Sequence, residues 1–328
     1  MSAPRRPARG AGVGLALLSA ATFGTSGSFA TSLFRVGWTP GAAVTARVGT
    51  AAALLTVPAL LQLRAGGGSV RRGLPMIGGY GVLAVAGAQL CYFNAVQHLS
   101  VGVALLLEYL GTLLVVGWLW GRHGHRPRRL TVAGGVVAVA GLLLVLDLAG
   151  SHPLDPIGVL WGLGAATGLA VYYVLSAADD DPLPPLVVAW GGLAVGALAL
   201  GLLALVGVLP FRASRRQAEL LHQHVSWLVP VLALAVIAAA IAYVSGITAA
   251  RLLGAKLSSF VGLTEVLFAV LFAWLLLGQV PAARQAVGGT LIVAGVVLVR
   301  VDELRGQLSD DKAQGAGWRR LERVNRAA

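Results

Sequence analysis

Long runs of apolar residues, separated by short polar segments, occupy almost the whole chain up to about residue 301. A helix needs about 20 mostly apolar residues to cross the hydrocarbon core of a bilayer. The pattern predicts ten such transmembrane helices, at 12–34, 41–62, 74–96, 100–121, 130–148, 157–177, 186–209, 227–250, 256–277 and 285–301. Because most connections between these stretches are short, we expect consecutive antiparallel helices in one all-α integral membrane bundle.

The composition agrees with a membrane protein and argues against a nucleic-acid-binding protein. Only 12% of the 328 residues are charged, whereas a soluble domain has roughly 25%. The net charge is +12, but the basic residues lie between apolar runs and form no basic face interleaved with aromatic side chains. We therefore expect membrane lipid, and no nucleic acid, around this protein.

The distribution of lysine and arginine predicts the orientation, because cytoplasmic loops of membrane proteins carry an excess of both. With the N-terminus inside the cell, most of the 25 Lys and Arg residues fall on the cytoplasmic side, including those of the C-terminal tail. Five arginines fall on the outer side instead: Arg35, Arg212, Arg215, Arg216 and Arg284. The sequence therefore predicts a multi-pass protein of the cell membrane with both termini in the cytoplasm.

Two features of the first half recur in the second half. Glu108 and Glu265 each stand 13 residues before a glycine, at Gly121 and Gly278, with an apolar run between. Farther along each half, two adjacent glycines, five other residues and a third glycine follow one another, first at 134–141 and then at 288–295. The two halves are therefore predicted to be copies of one unit.

The repeat predicts the domain organisation, which is one five-helix copy in 1–150, a second in 151–302 and a basic cytoplasmic tail in 303–328. Five crossings are an odd number, so the second copy must be inverted in the membrane relative to the first. Inverted repeats are the architecture of many alternating-access transporters. The repeat thus favours a transporter over a channel or a scaffold.

These same residues resemble the signature of the drug/metabolite transporter superfamily, EamA type, in the fourth helix of each repeat. The second half fits well, with Gly262-Leu263-Thr264-Glu265-Val266-Leu267-Phe268 leading into an apolar run that ends at Leu277-Gly278-Gln279. The first half fits more loosely, in the stretch 107–112. The family has Pro after the glutamate and an acid after the last glycine, and this chain has neither. The resemblance implies two five-helix repeats, and it is closest to members linked to amino-acid and metabolite efflux.

Three ionisable residues lie inside predicted spans, where a charge is expensive and usually faces a cavity or a partner. Glu108 and Glu265 stand near the middle of their spans, and each could exchange a proton during transport or serve as a structural hydrogen-bond acceptor. Arg47 lies about two turns into the second span. It could clamp a substrate carboxylate, act as counter-ion to a glutamate, or extend its head group to the membrane interface.

Polar and aromatic side chains in mid-span are candidates for lining a substrate pocket: Gln89, Tyr92, Asn94, Tyr172, Trp190 and Tyr243. Tyr172 and Tyr173 are adjacent, and adjacent residues project about 100° apart on a helix. We therefore expect only one of these two tyrosines to point into the pocket.

The leading hypothesis is a secondary transporter that exports amino acids or related small metabolites and is driven by the proton gradient. The alternatives are a membrane-embedded enzyme acting on lipid-linked substrates, and a channel or scaffold. The sequence has no nucleotide-binding P-loop and no His, Cys and Asp cluster at metal-ligand spacing, so we expect no cofactor, no metal and no enzyme activity. Glycine pairs at four-residue spacing in the sixth and seventh spans favour close helix packing, with a homodimer interface as the alternative.

Overall fold

The computed structural model of the protein describes residues 6–66, 70–99, 101–123, 128–145, 155–178, 183–221, 223–278, 283–284, 286–299, 301–302 and 305. The first half consists of helices α1 (Arg6–Gly24), α2 (Ser26–Phe34), α3 (Pro40–Gly66), α4 (Val70–Gly79), α5 (Ala88–His98), α6 (Val101–Tyr109), α7 (Gly111–His123) and α8 (Arg129–Val145).

The second half consists of helices α9 (Pro156–Ser176), α10 (Pro185–Leu205), α11 (Leu228–Ala235), α12 (Ala242–Leu253), α13 (Ala255–Gly262), α14 (Glu265–Leu277) and α15 (Ala286–Val299). Between α10 and α11, strand β1 (Ala218–Leu220) pairs antiparallel with strand β2 (Gln223–Val225). The all-α membrane architecture predicted from the apolar runs is therefore confirmed.

Seven stretches of the described residues are long and apolar enough to cross a membrane: Gly10–Phe34, Pro40–Ala65, Gly73–His98, Pro156–Ser176, Pro185–Leu205, Leu228–Leu253 and Ala255–Leu276. The predicted spans 130–148 and 285–301 correspond to the shorter apolar helices Arg129–Gly141 and Ala286–Val299. The predicted span 100–121 corresponds to α6 and α7, which are interrupted at Leu110. The count of ten crossings stays a prediction.

The third predicted span of each half contains a π-helical segment, Tyr80–Gly87 between α4 and α5 and Val236–Ile241 between α11 and α12. A π-helical turn widens the helix, and such turns are frequent at functional sites. The two segments occupy corresponding positions in the two halves. Neither was predicted from the sequence, because a π turn needs no proline or other marker residue.

Contacts between connections join segments that the ten-span pattern places on one side of the membrane. The backbone N–H of Thr39, between the first two spans, donates to the Arg212 carbonyl, between the seventh and eighth, over 3.0 Å. His98, after the third span, lies 2.8 Å from Asp155, before the sixth. These contacts agree with successive antiparallel crossings.

Candidate functional site

Arg47 of α3 is fully buried at the centre of the bundle. Its guanidinium group donates to the Ser26 hydroxyl over 2.8 Å, to the side-chain oxygen of Gln89, and to the backbone carbonyl of Ala238. Gln89 lies directly after the first π-helical segment and Ala238 lies within the second. Arg47 therefore ties the two halves of the chain together at their π-helical segments.

The burial of Arg47 excludes one of the roles predicted for this residue. The suggestion that it reaches the membrane interface is wrong, because its side chain has no exposed surface. Within the described part of the chain, no carboxylate lies within ion-pair distance of it. Its neighbours are neutral acceptors and the rings of Phe23 and Phe93, whose centroids lie 5.7 and 6.0 Å from the guanidinium carbon. Its Nε has no hydrogen-bond partner, so it keeps donor capacity for a further acceptor.

A narrow cavity of about 30 Å³ lies beside Arg47. It is lined by side chains from both halves of the chain: Phe23, Ser26, Arg47, Ala84, Ala88, Gln89, Tyr92, Glu108, Tyr109, Leu169, Tyr172, Tyr173, Tyr243 and Glu265. A cavity needs about 10–15 Å³ to hold one water molecule. In this conformation the cavity therefore has room for only a few water molecules.

Both predicted carboxylates reach this cavity, and each lies beside a helix break. Glu108 is in the last turn of α6, just before the break at Leu110. Glu265 is the first residue of α14, just after the break at Leu263 and Thr264. A helix carries positive partial charge at its N-terminus and negative partial charge at its C-terminus, so the two carboxylates occupy electrostatically different ends. Tyr109, the neighbour of Glu108 in the chain, lines the same cavity as Glu265.

The tyrosines of α9 both line the cavity, so the expectation that only one of them would point inward is wrong. Their rings are perpendicular neighbours with centroids 4.9 Å apart. A Cβ atom on Gly246 would lie 1.9 Å from the Tyr172 hydroxyl, and a Cβ atom on Gly262 would lie 1.9 Å from the Tyr173 hydroxyl. Two glycines on separate helices therefore make room for two bulky side chains to point inward.

Seven of the nine predicted site residues surround this cavity: Arg47, Gln89, Tyr92, Glu108, Tyr172, Tyr243 and Glu265. The other two are elsewhere. Asn94 donates to the Leu90 carbonyl of its own helix over 2.7 Å, and Trp190 donates to the Thr56 hydroxyl over 3.0 Å. Each of these two side chains thus donates its hydrogen bond to a residue that does not line the cavity.

Phe23, Ser26 and Tyr109 are lining residues that sequence reasoning did not select. Phe23 and Ser26 flank Thr25, where the first span breaks between α1 and α2. A Ser and Thr cluster in an apolar span is a weak signal for such a break. Tyr109 directly follows Glu108, and this adjacency is the signal that could have identified it.

The fold and the cavity define a class, a multi-pass α-helical membrane protein with a central polar site lined from both halves. The family model for the EamA-like transporter family matches residues 10–147 and again residues 156–301. The chain belongs to this family and is therefore a membrane transporter of the drug/metabolite transporter type. The double match confirms the predicted family resemblance.

A solved structure described only as the crystal structure of a protein is similar over most of its length. The two chains are 23% identical, with a TM-score of 0.66, and the alignment covers 92% of this chain and 99% of the other. At this identity the likeness supports the fold alone.

Proposed function

We propose that this protein is a secondary active transporter that exports amino acids or related small metabolites by alternating access, coupled to the proton gradient. The observation that carries the proposal is the single cavity that brings Arg47, Glu108 and Glu265 together from both halves of the chain. Charged residues inside a membrane protein usually mark the path of a substrate or a proton.

The chemistry of the cavity suits a small zwitterion. Arg47 is held by neutral acceptors and has an unpartnered Nε, so a substrate carboxylate can pair with it through the planar donor fork. A substrate ammonium group can pair with a glutamate and lie against a tyrosine ring. Tyr92, Tyr172 and Tyr243 supply such rings around the cavity.

The small volume of the cavity fits one stage of an alternating-access cycle. A metabolite is far larger than the few water molecules that about 30 Å³ can hold, so binding requires the helices around the cavity to separate. The breaks at Thr25, Leu110 and Leu263–Thr264 provide positions at which segments can tilt. As part of the proposal, both termini lie in the cytoplasm, because the positive-inside rule favours that orientation.

Glu265 is the proposed proton carrier. Its carboxylate stands at the N-terminus of α14, in the second half, and lines the cavity together with Tyr109 and Glu108 of the first half. A carboxylate shared between the halves changes partners when they separate, and a change of partners changes its proton affinity. Glu108 lies near the C-terminus of α6, whereas Glu265 lies at the N-terminus of α14. Glu108 is therefore the control residue for tests of Glu265.

The test uses purified protein in proteoliposomes, with amino acids as candidate substrates. We expect labelled substrate inside the vesicles to exchange for unlabelled substrate outside, which neither a channel nor an enzyme would do. Glu265→Gln should abolish accumulation driven by a pH gradient and leave exchange intact, because glutamine keeps the shape but cannot carry a proton. Glu108→Gln should retain driven accumulation. Wild-type coupling in Glu265→Gln would rule out Glu265 as the proton carrier, and absence of exchange for every amino acid tried would rule out the substrate class.

A further inference from the structure

A second, larger cavity, separate from the central site, opens among exposed apolar side chains. It is a groove of about 410 Å³ between α7, α8 and α13. Its lining is almost wholly apolar, with Val132, Val136, Val139 and Leu143 of α8 at helical spacing along one wall. Leu113 of α7 and Phe260 of α13 belong to its other walls.

The groove follows α8 from Thr131, in the first turn, to Leu143. Twelve residues of α-helix rise about 18 Å, which is close to half of the ~30 Å hydrocarbon core of a bilayer. The groove therefore has about the length of one lipid leaflet, and the predicted span 130–148 puts its Thr131 end nearer the membrane surface.

The surface end of the groove is basic. Arg128 and Arg129 lie where α8 begins, and Arg122 lies in the last turn of α7, all three exposed to solvent. The acidic residue at this end that the structure describes, Asp302, is buried and neutralised, since it accepts from Thr131 over 2.5 Å and lies 3.9 Å from the Lys256 ammonium group.

We propose that this groove is a binding site for an anionic phospholipid of the leaflet on the Arg128 and Arg129 side. One acyl chain lies along α8, and the phosphate head group lies among the three arginines. The two observations that carry the proposal are independent of each other: an apolar groove of leaflet length, and positive charge at the end where a phosphate would stand.

The packing of α8 explains why the groove is present. The face of α8 that carries Gly134 and Gly141 is pressed against α15, so the opposite face, with Val136 and Ala140, is left without a helix partner among the described residues. Val136 is 65% exposed. A lipid chain would cover this face without any change in the helix packing.

The test measures lipid retained by the full-length protein in native mass spectrometry after titration with dioleoyl phosphatidylglycerol or dioleoyl phosphatidylcholine. We expect the wild type to retain one phosphatidylglycerol in preference to phosphatidylcholine. Ala140→Phe fills the groove and should remove the retained lipid. Arg128→Gln/Arg129→Gln should weaken phosphatidylglycerol binding on the order of thirtyfold and remove the preference, because each arginine near an anionic surface contributes about 1 kcal/mol, or roughly fivefold in affinity.

Matched controls separate the groove from general effects. Arg212→Gln/Arg215→Gln removes the same charge at the opposite membrane surface, and Leu198→Phe places a phenyl ring on an exposed position of α10 outside the groove; both should bind lipid as the wild type does. Arg128 and Arg129 are exposed, so their replacement decides the question even where Ala140→Phe lowers the yield. Equal retention of the two lipids by the wild type, or unchanged retention in both groove variants, would overturn the proposal. If Ala140→Phe instead converts a dimer into monomers without changing lipid retention, the groove is an interface between copies and the proposal is wrong.

Discussion

A Cβ atom on Gly134 would lie 2.8 Å from the carbonyl oxygen of Gly295, and a Cβ atom on Gly295 would lie 2.6 Å from the carbonyl oxygen of Gly134. Seven residues further along α8, a Cβ atom on Gly141 would lie 2.6 Å from the carbonyl oxygen of Gly288. Position 134 in the first repeat corresponds to position 288 in the second, and 141 corresponds to 295. Gly134 therefore contacts the counterpart of Gly141, and Gly141 contacts the counterpart of Gly134. A reciprocal contact of this kind is what a two-fold axis produces, and the helices run antiparallel, as an inverted repeat requires.

The glycine contact predicts the effect of a single methyl group. Gly134→Ala should destabilise the protein by about 1–3 kcal/mol, the usual cost of an extra methyl group in a packed site, and should lower its thermal midpoint in detergent. The control is Gly117→Ala in α7, because a Cβ atom there meets nothing within 4 Å. The control should be neutral or slightly stabilising, since alanine favours the helix over glycine. Equal midpoints for the two variants would contradict this account of the α8–α15 contact.

A second pair of substitutions tests the room that glycine provides for the tyrosines of the site. Gly262→Ala should lower the yield and the thermal midpoint, because its Cβ atom would overlap the Tyr173 hydroxyl at 1.9 Å. Adding Tyr173→Phe removes that hydroxyl and should recover much of the loss. The coupling between the two changes is read from a double-mutant cycle of thermal midpoints. Additive effects would show that the two residues do not meet in the protein.

A substitution of Arg47 tests whether the shape of its guanidinium group matters in addition to its positive charge. Arg47→Lys keeps the positive charge but cannot reach Ser26, Gln89 and Ala238 together, so it leaves buried acceptors unpaired at about 1–3 kcal/mol each. We expect a lower thermal midpoint and a loss of substrate exchange. Arg35→Lys, at an exposed position, should change neither. A variant Arg47→Lys with wild-type stability would show that these three hydrogen bonds do not stabilise the bundle.

Much of the fold could be predicted because a bilayer makes strong demands on a sequence. Apolar runs of membrane length identified the long spans, and a charge inside such a run is costly enough to identify Arg47, Glu108 and Glu265 as site residues. The family signature pointed to the same two glutamates. These features could be predicted because a polar segment or a charge inside the bilayer has a large free-energy cost, which can be recognised from the sequence alone.

Other parts of the site depend on packing that no local pattern encodes. Asn94 was selected as a polar residue in a span, but its amide is satisfied by the carbonyl four residues earlier, which is a purely local solution. Tyr173 was excluded by helix geometry alone, whereas Gly262 on another helix gives its hydroxyl a place. The breaks at Thr25 and Leu110 have no proline to mark them.

Reporter fusions test the orientation predicted from the basic residues. A reporter joined after residue 150 should be active only outside the cytoplasm, and one joined after residue 310 only inside it. The expectation follows from the excess of lysine and arginine on the predicted cytoplasmic side. A tail reporter active outside would contradict the ten-span arrangement.

The contacts of Asp155 predict how the stability of the α5–α9 end of the bundle depends on pH. Its carboxylate accepts from the Ile157 backbone N–H over 2.9 Å and lies 2.8 Å from Nδ1 of His98, so it caps α9 and links that helix to the end of α5. The pKa of Asp155 is held below its ordinary value of 3.8 by the Ile157 N–H first and by His98 second. A lowered pKa in the folded protein means that the stabilisation is present above pH 3.8 and is lost as the pH falls through the lowered value.

Asp155→Asn isolates that charge, because asparagine caps a helix about as well as aspartate. At pH 7 the variant should have a lower thermal midpoint than the wild type. The difference should shrink as the pH falls from 3.8 toward the lowered pKa and disappear below it, where the folded wild-type carboxyl is protonated and resembles the amide. Glu219→Gln, which removes an exposed carboxylate from β1, should give no difference at either pH. A gap between Asp155→Asn and the wild type that persists unchanged in acid would mean that the carboxylate charge does not stabilise this helix end.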